Sequence, residues 1–260
     1  MRTLQKWVLE VYDHLVIYGC VILLGGIFLF WGVLALIGLP LFPARQARLL
    51  GRYIAMLSFR FYLACLSATR RFSFDMSALE ALRGAPPLVL APNHPCMLDA
   101  LMVIAHLPNV ACVLKSSLMN NFFTGGGARF ARFIRNEPAQ RMVQLAVEDM
   151  TQGSHLLLFP EGTRTVKDPV NPFTGSVGLI AARAQTPVQT ILIETDSRYL
   201  AKGWGLFHKP PMPLHYRVRL GKRFDPPRDV HRFMSELEHY FSHELVRGSA
   251  FHPARSLSAH

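Results

Sequence analysis

The chain has 260 residues, of which 50% are hydrophobic and only 17% are charged, and Lys plus Arg outnumber Asp plus Glu by 28 to 17. This hydrophobic content excludes an intrinsically disordered chain, which needs low hydrophobicity and high charge. The length suits one large domain with a short appendage, but it is too small for two large domains.

The formal net charge of +11 indicates an anionic partner. Nucleic acid, an anionic membrane surface and a small phosphorylated ligand all fit this charge, and the high apolar content favours the membrane. Because no nucleic-acid-binding module is recognisable, nucleic acid is not an expected partner. The cysteines at positions 20, 65, 96 and 112 form no C-x-x-C pair, which is typical of a reduced intracellular protein and not of a disulfide scaffold.

A long apolar segment lies near the N-terminus. No charged residue occurs between Leu15 and Phe42, and as a helix this segment would be about 42 Å long, against a hydrocarbon core of about 30 Å. It is too long for the apolar part of a signal peptide, and buried helices of soluble proteins rarely extend so far without a charge. We therefore predict a membrane anchor that breaks at Pro40 and Pro43.

A basic amphipathic segment follows the apolar one. Arg45, Arg48, Arg52 and Arg60 are interleaved with apolar residues at helical spacing, so we expect a second helix in the headgroup region with its arginines on lipid phosphates. Together the two helices form a predicted membrane-associated helical hairpin over residues 1–70. Because basic residues are concentrated after the apolar segment, the positive-inside rule predicts a protein of the cell inner membrane with its large C-terminal part on the cytoplasmic side.

Residues 71–248 show short apolar runs that alternate with amphipathic segments. This pattern predicts an α/β domain with a mixed, largely parallel sheet flanked by helices. Strands are expected at Leu88–Ala91, Ala111–Lys115, Leu156–Phe159, Val188–Glu194 and His215–Leu220, and helices at Met97–Leu107, Gln140–Thr151, Val177–Ala184 and His231–Val246. The glycines at 125–127 are expected in a loop, and residues 249–260 in a disordered tail.

Three polar clusters lie near predicted strand ends, where open α/β sheets build their sites. In the first cluster, NHPCMLD, His94 and Asp99 are separated by a strand-to-helix turn in an H-x4-D arrangement. A carboxylate placed in this way fixes the tautomer of the imidazole and leaves its other nitrogen free as a base. The alternative is a solvated histidine beside an aspartate that the helix dipole favours.

The second cluster, FPEGTR, follows the strand that ends at Phe159. Gly162 allows a ligand to approach the backbone, Thr163 supplies a hydroxyl, and Arg164 offers a fork suited to a phosphate. Glu161 is expected to accept a hydrogen bond from a substrate hydroxyl or to hold Arg164 in place. An ordinary exposed turn is the simpler alternative.

The third cluster is Arg132-Phe133-Ile134-Arg135. One of its two arginines is expected to reach the same pocket as Lys115, which lies at the end of a neighbouring predicted strand. Two surface cations without a ligand are the alternative interpretation.

In this order and at these separations, NHPCMLD, FIR and FPEGTR resemble the motifs of the lysophospholipid acyltransferase family, over roughly residues 60–246. The resemblance implies that His94 is the general base that takes a proton from an acceptor hydroxyl, and that Asp99 orients it. It also implies an acceptor-binding set made of Lys115, Arg135, Glu161, Gly162, Thr163 and Arg164.

Two features depart from or complicate this resemblance. The fourth family block usually reads V-P-[IV]-[IV]-P, whereas the chain has TPVQT at 186–190, which leaves the preference for an acyl donor open. Cys96 suggests a thiol nucleophile. The resemblance, however, implies a fatty acyl thioester as the donor, and because a thioester is already activated, the reaction needs no acyl-enzyme intermediate.

No metal is expected, because only His239 and His243 have ligand-like spacing and they lie far from the three clusters in sequence.

The resemblance, together with the predicted anchor, thus implies a membrane-bound O-acyltransferase with a His-Asp general-base dyad. It would move a fatty acyl group from acyl-CoA or acyl carrier protein onto a lysophospholipid, by default 1-acylglycerol 3-phosphate. No cofactor is expected, and the predicted partners are membrane lipids and the acyl donor. The alternatives are another acceptor, such as a lyso-ornithine lipid or a specialised lipid product, and a catalytically silent lipid-binding protein.

Overall fold

The computed structural model describes residues 2–248 of the chain, so the predicted tail at 249–260 lies outside the described residues. The strands are β1 (Phe72–Asp75), β2 (Val89–Pro92), β3 (Val110–Leu114), β4 (Ile134–Arg135), β5 (His155–Leu157), β6 (Val188–Thr195) and β7 (Leu214–Phe224). They form one sheet in the order β1-β7-β6-β2-β5-β3-β4. Only β6 and β7 pair antiparallel among the described strands, so the predicted mixed, largely parallel sheet is confirmed.

Helices cover both faces of this sheet. They are α1 (Arg2–Leu41), α2 (Ala44–Ala68), α3 (Asp99–Ile104), α4 (Ser116–Asn120), α5 (Phe122–Phe130), α6 (Ala139–Thr151), α7 (Ser176–Ala184) and α8 (Val230–Gly248), with a 3-10 helix at Ser77–Leu82. Side chains alternate along each strand. Leu90 and Leu157 therefore pack towards α1, α2 and α3, whereas Val89 and Leu156 pack towards α6, α7 and α8.

Helices α1 and α2 form an antiparallel pair. The Tyr12 hydroxyl donates to the Thr69 carbonyl at 2.9 Å, and the Trp31 indole donates to Ser58 Oγ at 3.0 Å. Helix α1 continues to Leu41, so the turn follows Pro40, and α2 begins directly after Pro43. By length and composition alone, both helices could cross a membrane.

The three glycines at 125–127 lie within helix α5, so the expectation of a loop there is wrong. A Cβ atom on Gly127 would lie 2.0 Å from Trp31 Cε3, and one on Gly126 would lie 2.6 Å from the Cα atom of Gly32. Glycine is therefore needed because α1 and α5 approach closely. A glycine run in sequence is equally compatible with a flexible loop, and only the neighbouring helix distinguishes the two.

Two of the arginines expected on lipid phosphates lie inside the protein. Arg52 is 1% exposed and Arg48 is 7% exposed, and both form ion pairs with Asp149 of α6. Arg52 also donates to the Ala131 carbonyl at 3.1 Å and to Ser154 Oγ at 2.7 Å. The expectation is wrong for these two residues, because a buried charge must be paired and Asp149 supplies the partner.

The other two arginines of this group, Arg45 and Arg60, are exposed. Further along the chain, Arg71 donates to Asp13 of α1 at 2.8 Å. The basic residues after the apolar segment therefore divide into those that fasten the hairpin to the domain and those that reach solvent.

Candidate active site

The carboxyl ends of β2, β3 and β5 meet at one edge of the sheet, beside a cavity of about 680 Å³. His94 follows β2, Lys115 follows β3, and the FPEGTR residues follow β5. These are strands of a parallel sheet, and the loops after their carboxyl ends build the site. The placement of the polar clusters at strand ends is thus confirmed.

His94 and Asp99 are in direct contact. His94 Nδ1 lies 2.9 Å from Asp99 Oδ2, and the carboxylate is completely buried in the first turn of α3. Because an ionised carboxylate only accepts hydrogen bonds, Nδ1 carries the proton and the lone pair of the neutral ring is on Nε2. His94 also lines the cavity, so a base is available there.

Asp99 is fixed by two further donors, both from Cys96. The Cys96 backbone N–H donates to Oδ2 at 2.8 Å, and the Cys96 thiol donates to Oδ1 at 2.9 Å. Burial, and then the negative charge of Asp99, raise the pKa of the Cys96 thiol well above its usual value. A thiol held in its protonated form is a poor nucleophile. The structure therefore gives Cys96 a structural contact with the aspartate.

The FPEGTR loop holds the backbone of His94 on both sides. Glu161 Oε1 accepts from the His94 N–H at 2.9 Å, and the Thr165 N–H donates to the His94 carbonyl at 2.7 Å. Glu161 also accepts from the Thr165 hydroxyl and from the Asn171 N–H, each at 2.8 Å. Burial raises the pKa of Glu161, while these three hydrogen bonds favour its ionised form.

The environment of Glu161 differs from the expectation that it contacts a substrate hydroxyl or Arg164. Glu161 is 4% exposed and does not line the cavity. The hydrogen bonds described above join it to loops of the protein itself. Its contacts fix the position of His94 instead. This role depends on a fold contact that the sequence alone does not show.

Two other residues position His94, and the sequence reasoning missed both. The Phe159 ring stacks on the imidazole with centroids 3.8 Å apart. Asn93 joins the ends of β2 and β6, since its amide donates to the Ile193 carbonyl at 2.9 Å and accepts from the Ile193 N–H at 2.7 Å. Both are the first residues of the NHPCMLD and FPEGTR clusters, which was the available signal.

The predicted acceptor-binding residues are only partly brought together. Lys115, Gly162, Thr163 and Arg164 line the cavity with His94.

Arg135, from the FIR cluster, is exposed and is not part of the lining. It donates to Asn120 Oδ1 at 2.8 Å, and the next residue, Asn136, reaches the cavity instead. The expected proximity of Arg135 to the pocket is therefore wrong, because successive residues of a strand point to opposite sides.

The cavity continues from this polar region into an apolar one. Leu24, Phe28 and Trp31 of α1 and Phe59 of α2 line it, so it extends from the edge of the sheet that carries His94 to the inner side of the hairpin. A cavity with an apolar part and a few polar groups is suited to an amphiphile.

The fourth block, TPVQT at 186–190, which differs from the usual family pattern, overlaps the start of β6. The Gln189 amide donates to the Gly221 carbonyl at 2.8 Å, and the Thr190 hydroxyl donates to the Lys222 carbonyl at 2.8 Å. Both polar side chains are thus satisfied by β7, beside an irregularity in the β6–β7 register. Neither residue lines the cavity.

Residues 2–248 contain no group of three His, Cys, Asp or Glu side chains that could hold a metal ion. The two histidines with ligand-like spacing, His239 and His243, stack with ring centroids 6.5 Å apart on α8. They do not line the cavity, so they have no link to His94.

The chain is similar to known acyltransferases in sequence and in fold. The acyltransferase family model matches residues 73–194, which include His94, Asp99 and the FPEGTR loop. The 1-acyl-sn-glycerol-3-phosphate acyltransferase of Pseudomonas aeruginosa is 24% identical over 183 residues, covering 68% of this chain and 70% of that protein. The crystal structure of the 1-acyl-sn-glycerophosphate (LPA) acyltransferase of Thermotoga maritima superposes with a TM-score of 0.68 at 16% identity, covering 96% and 98% of the two chains. The chain is therefore an acyltransferase, and it is similar to 1-acylglycerol-3-phosphate acyltransferases in sequence and in fold.

Proposed function

We propose that this acyltransferase transfers a fatty acyl group from acyl-CoA or acyl carrier protein to the free hydroxyl of a lysophospholipid, with 1-acylglycerol 3-phosphate as the default acceptor. One observation carries the proposal: a single cavity is lined by His94, by the cationic side chains of Lys115 and Arg164, and by apolar side chains of the hairpin. Such a cavity matches a substrate pair that has a hydroxyl, a phosphate and fatty chains.

His94 acts as the general base in this reaction. Its Nε2 atom takes the proton of the acceptor hydroxyl while the hydroxyl oxygen attacks the thioester carbonyl carbon. The tetrahedral intermediate then breaks its C–S bond, the leaving sulfur takes the proton from His94, and the products are an ester and a free thiol. Asp99, held by Cys96, keeps the ring in the required tautomer and stabilises the imidazolium that forms.

The fatty chain is assigned to the apolar part of the cavity, between Leu24, Phe28 and Phe59. Burying a methylene there contributes about 0.8 kcal/mol. Because Trp31 also lines this region and packs against α5, the hairpin is part of the binding site as well as an anchor.

We further propose that the hairpin lies in one leaflet of the inner membrane, with the domain on the cytoplasmic side. Large apolar side chains are exposed along both helices, among them Leu15, Ile22, Leu36, Tyr53 and Phe61.

Contacts along α1 support this orientation. Its Asp13 pairs with Arg71, and its Gly32 packs on Gly126 of α5. These two positions of α1 are about 28 Å apart along the helix, nearly the thickness of the hydrocarbon core. A helix crossing the bilayer would pull this whole surface of the domain into lipid.

The test uses purified protein in nanodiscs and measures thiol release from acyl-CoA and from acyl carrier protein against a panel of lysolipids. We expect release that depends on a phosphate-bearing lysophospholipid. His94→Ala should reduce the rate by about 10² to 10⁴-fold, the usual contribution of a general base.

A matched control exists at His215. Its Nδ1 atom lies 2.5 Å from Asp196 Oδ2, so it forms a second His-Asp pair, but it does not line the cavity. His215→Ala should retain activity. Thiol release without an acceptor, or an equal loss of activity in the His94 and His215 variants, would contradict the proposed function. A preference for lyso-ornithine lipid would instead change the assigned acceptor.

A further inference from the structure

The loop after β6 places one more cation in the cavity. Lys202 belongs to none of the recognised motif blocks, yet its exposed side chain lines the cavity together with Lys115, Thr163 and Arg164. We propose that Lys202 and Arg164 together form a phosphate-binding subsite, an inference that rests on the proposed function and specifies its substrate contacts.

The loop that carries Lys202 is fastened to both catalytic motifs. Arg164 Nη1 donates to the carbonyls of Leu200 and Ala201 at 2.8 and 3.1 Å, and the Met97 N–H donates to the Leu200 carbonyl at 3.2 Å. Leu200 has a φ of 58°, a left-handed conformation that is unfavourable for an L residue with a side chain. These contacts hold the backbone in that conformation, so Lys202 emerges at a defined place.

Arg164 can serve the loop and a ligand at once. A guanidinium has five N–H donors in a planar fork, and only Nη1 of Arg164 has hydrogen-bond partners among the described residues. The side chain lines the cavity, so its remaining donors can bind an anion there. Arg164 thus positions the neighbouring lysine and contributes its own charge.

The electrostatics of the cavity favour an anion. Among residues 2–248, its lining contains Lys115, Arg164 and Lys202 but no Asp or Glu. A lysine ammonium beside an arginine fork is a recurrent way to bind phosphate, since the fork sets the geometry and the ammonium adds a compact charge.

Strand order separates the cations into two groups. Lys202 follows β6 and Lys115 follows β3, and in the sheet the strands β2 and β5 lie between them. At about 4.8 Å between neighbouring strands, three steps separate β6 from β3 by about 14 Å. His94, at the end of β2, lies between these strands. Arg164 comes from the loop after β5, but its hydrogen bonds to the Leu200 and Ala201 carbonyls bring its guanidinium to the loop of Lys202. Arg164 and Lys202 therefore form one group, and Lys115 lies at the end of β3 on the other side of His94.

A phosphate at this subsite has two possible sources. It belongs either to the lysophospholipid acceptor or to the acyl donor, whose coenzyme A and carrier-protein forms both contain phosphate. Steady-state kinetics distinguish them, because loss of a charge-assisted contact raises the KM of the substrate that makes it.

The experiment compares Lys202→Ala, Lys202→Arg and the matched control Lys167→Ala in nanodiscs, varying each substrate separately. Lys167 is an exposed lysine of a nearby loop that does not line the cavity. Lys202→Ala should raise one KM by about tenfold, as expected for one lost contact to a charged group, with kcat within about twofold. Lys202→Arg should restore most of the affinity, and Lys167→Ala should resemble the wild type.

Two readouts identify the source. A higher KM for the acceptor, accompanied by loss of the preference for 1-acylglycerol 3-phosphate over phosphate-free monoacylglycerol, assigns the subsite to the acceptor. A higher KM for the donor assigns it to the donor.

If both KM values stay within twofold and inorganic phosphate inhibits the variant as strongly as the wild type, the subsite is overturned. Failure of the wild type to transfer acyl groups to any lysolipid would instead refute the proposed function, so the two failures are distinguishable.

Discussion

The thiol of Cys96 donates a hydrogen bond to Asp99 Oδ1 at 2.9 Å, inside a region where both side chains are completely buried. The other carboxylate oxygen, Oδ2, accepts hydrogen bonds from His94 Nδ1 and from the Cys96 backbone N–H. The cysteine therefore stabilises the carboxylate that holds the His94 ring. In the sequence, by contrast, this thiol suggests only a nucleophile.

The first prediction concerns Cys96→Ala and Cys96→Ser. Alanine leaves one buried carboxylate oxygen without this donor, and a hydrogen bond to a charged group contributes about 1.5–3 kcal/mol, so we expect kcat to fall about tenfold. Serine keeps a donor and should stay within about threefold of the wild type. Steady-state kinetics with acceptor and donor varied separately check this, and equal kcat values for the alanine variant and the wild type would remove Cys96 from the positioning of Asp99.

The second prediction separates a positioning role for Glu161 from substrate binding. Glu161→Gln replaces one carboxylate oxygen by an NH₂ group, so at least one donor among His94, Thr165 and Asn171 loses its acceptor. We expect kcat to fall about tenfold or more while the KM of the acceptor stays within about twofold, because the change acts through the backbone of His94. The opposite pattern, a raised acceptor KM with unchanged kcat, would support direct contact with the substrate.

The third prediction tests the close approach of α1 and α5. In Gly127→Ala the new Cβ atom would lie 2.0 Å from Trp31 Cε3, and overpacking of this kind costs about 1–3 kcal/mol. We expect a lower Tm in detergent micelles and, because Trp31 lines the cavity, an altered preference for acyl-chain length.

Gly26→Ala is the matched control for this substitution. Nothing lies within 4 Å of the position that its Cβ would occupy, and alanine in a helix is favoured over glycine by about 0.5–1 kcal/mol. Equal Tm changes in the two variants would show that the two helices can separate without cost.

The fourth prediction concerns the arginines of α2. Arg52→Ala removes one partner of the buried Asp149, and breaking a buried ion pair costs about 3–5 kcal/mol. We expect a large loss of unfolding free energy with little change in binding to anionic vesicles.

Arg45→Ala is its counterpart, since Arg45 is exposed. Its unfolding free energy should stay within about 0.5 kcal/mol of the wild type, as is usual at the surface. Two results would contradict this division: an equal loss of stability in the Arg45→Ala and Arg52→Ala variants, or vesicle binding that is lost only in Arg52→Ala. Either would support contact of Arg52 with lipid phosphates.

Several features were predictable because their signal is local in sequence. His94 and Asp99 are five positions apart, so a strand-to-helix turn brings them together whatever surrounds it. Apolar runs on both faces indicate strands buried in a parallel sheet, and the run from Leu15 to Phe42 indicates a long apolar helix.

Other features needed the tertiary structure because their partners are distant. Glu161 is separated by 67 positions from His94, and Arg52 by 97 from Asp149. Hydrophobic periodicity reports which face of an element is buried, but it does not report which side chain lies opposite. Arg52 therefore has the pattern of a headgroup contact in sequence and proves to be an internal ion pair.

The sequence by itself determined the α/β class, the apolar hairpin, the strand ends that carry the motifs and the His94–Asp99 pair, because each follows from spacing within one or two elements. Only the tertiary structure decided that Glu161 holds His94, that Arg135 lies outside the cavity, and that Lys202 lies inside it. The physical reason is that a site is made by loops from separate strands, and their relative positions are set by sheet order and by packing between helices.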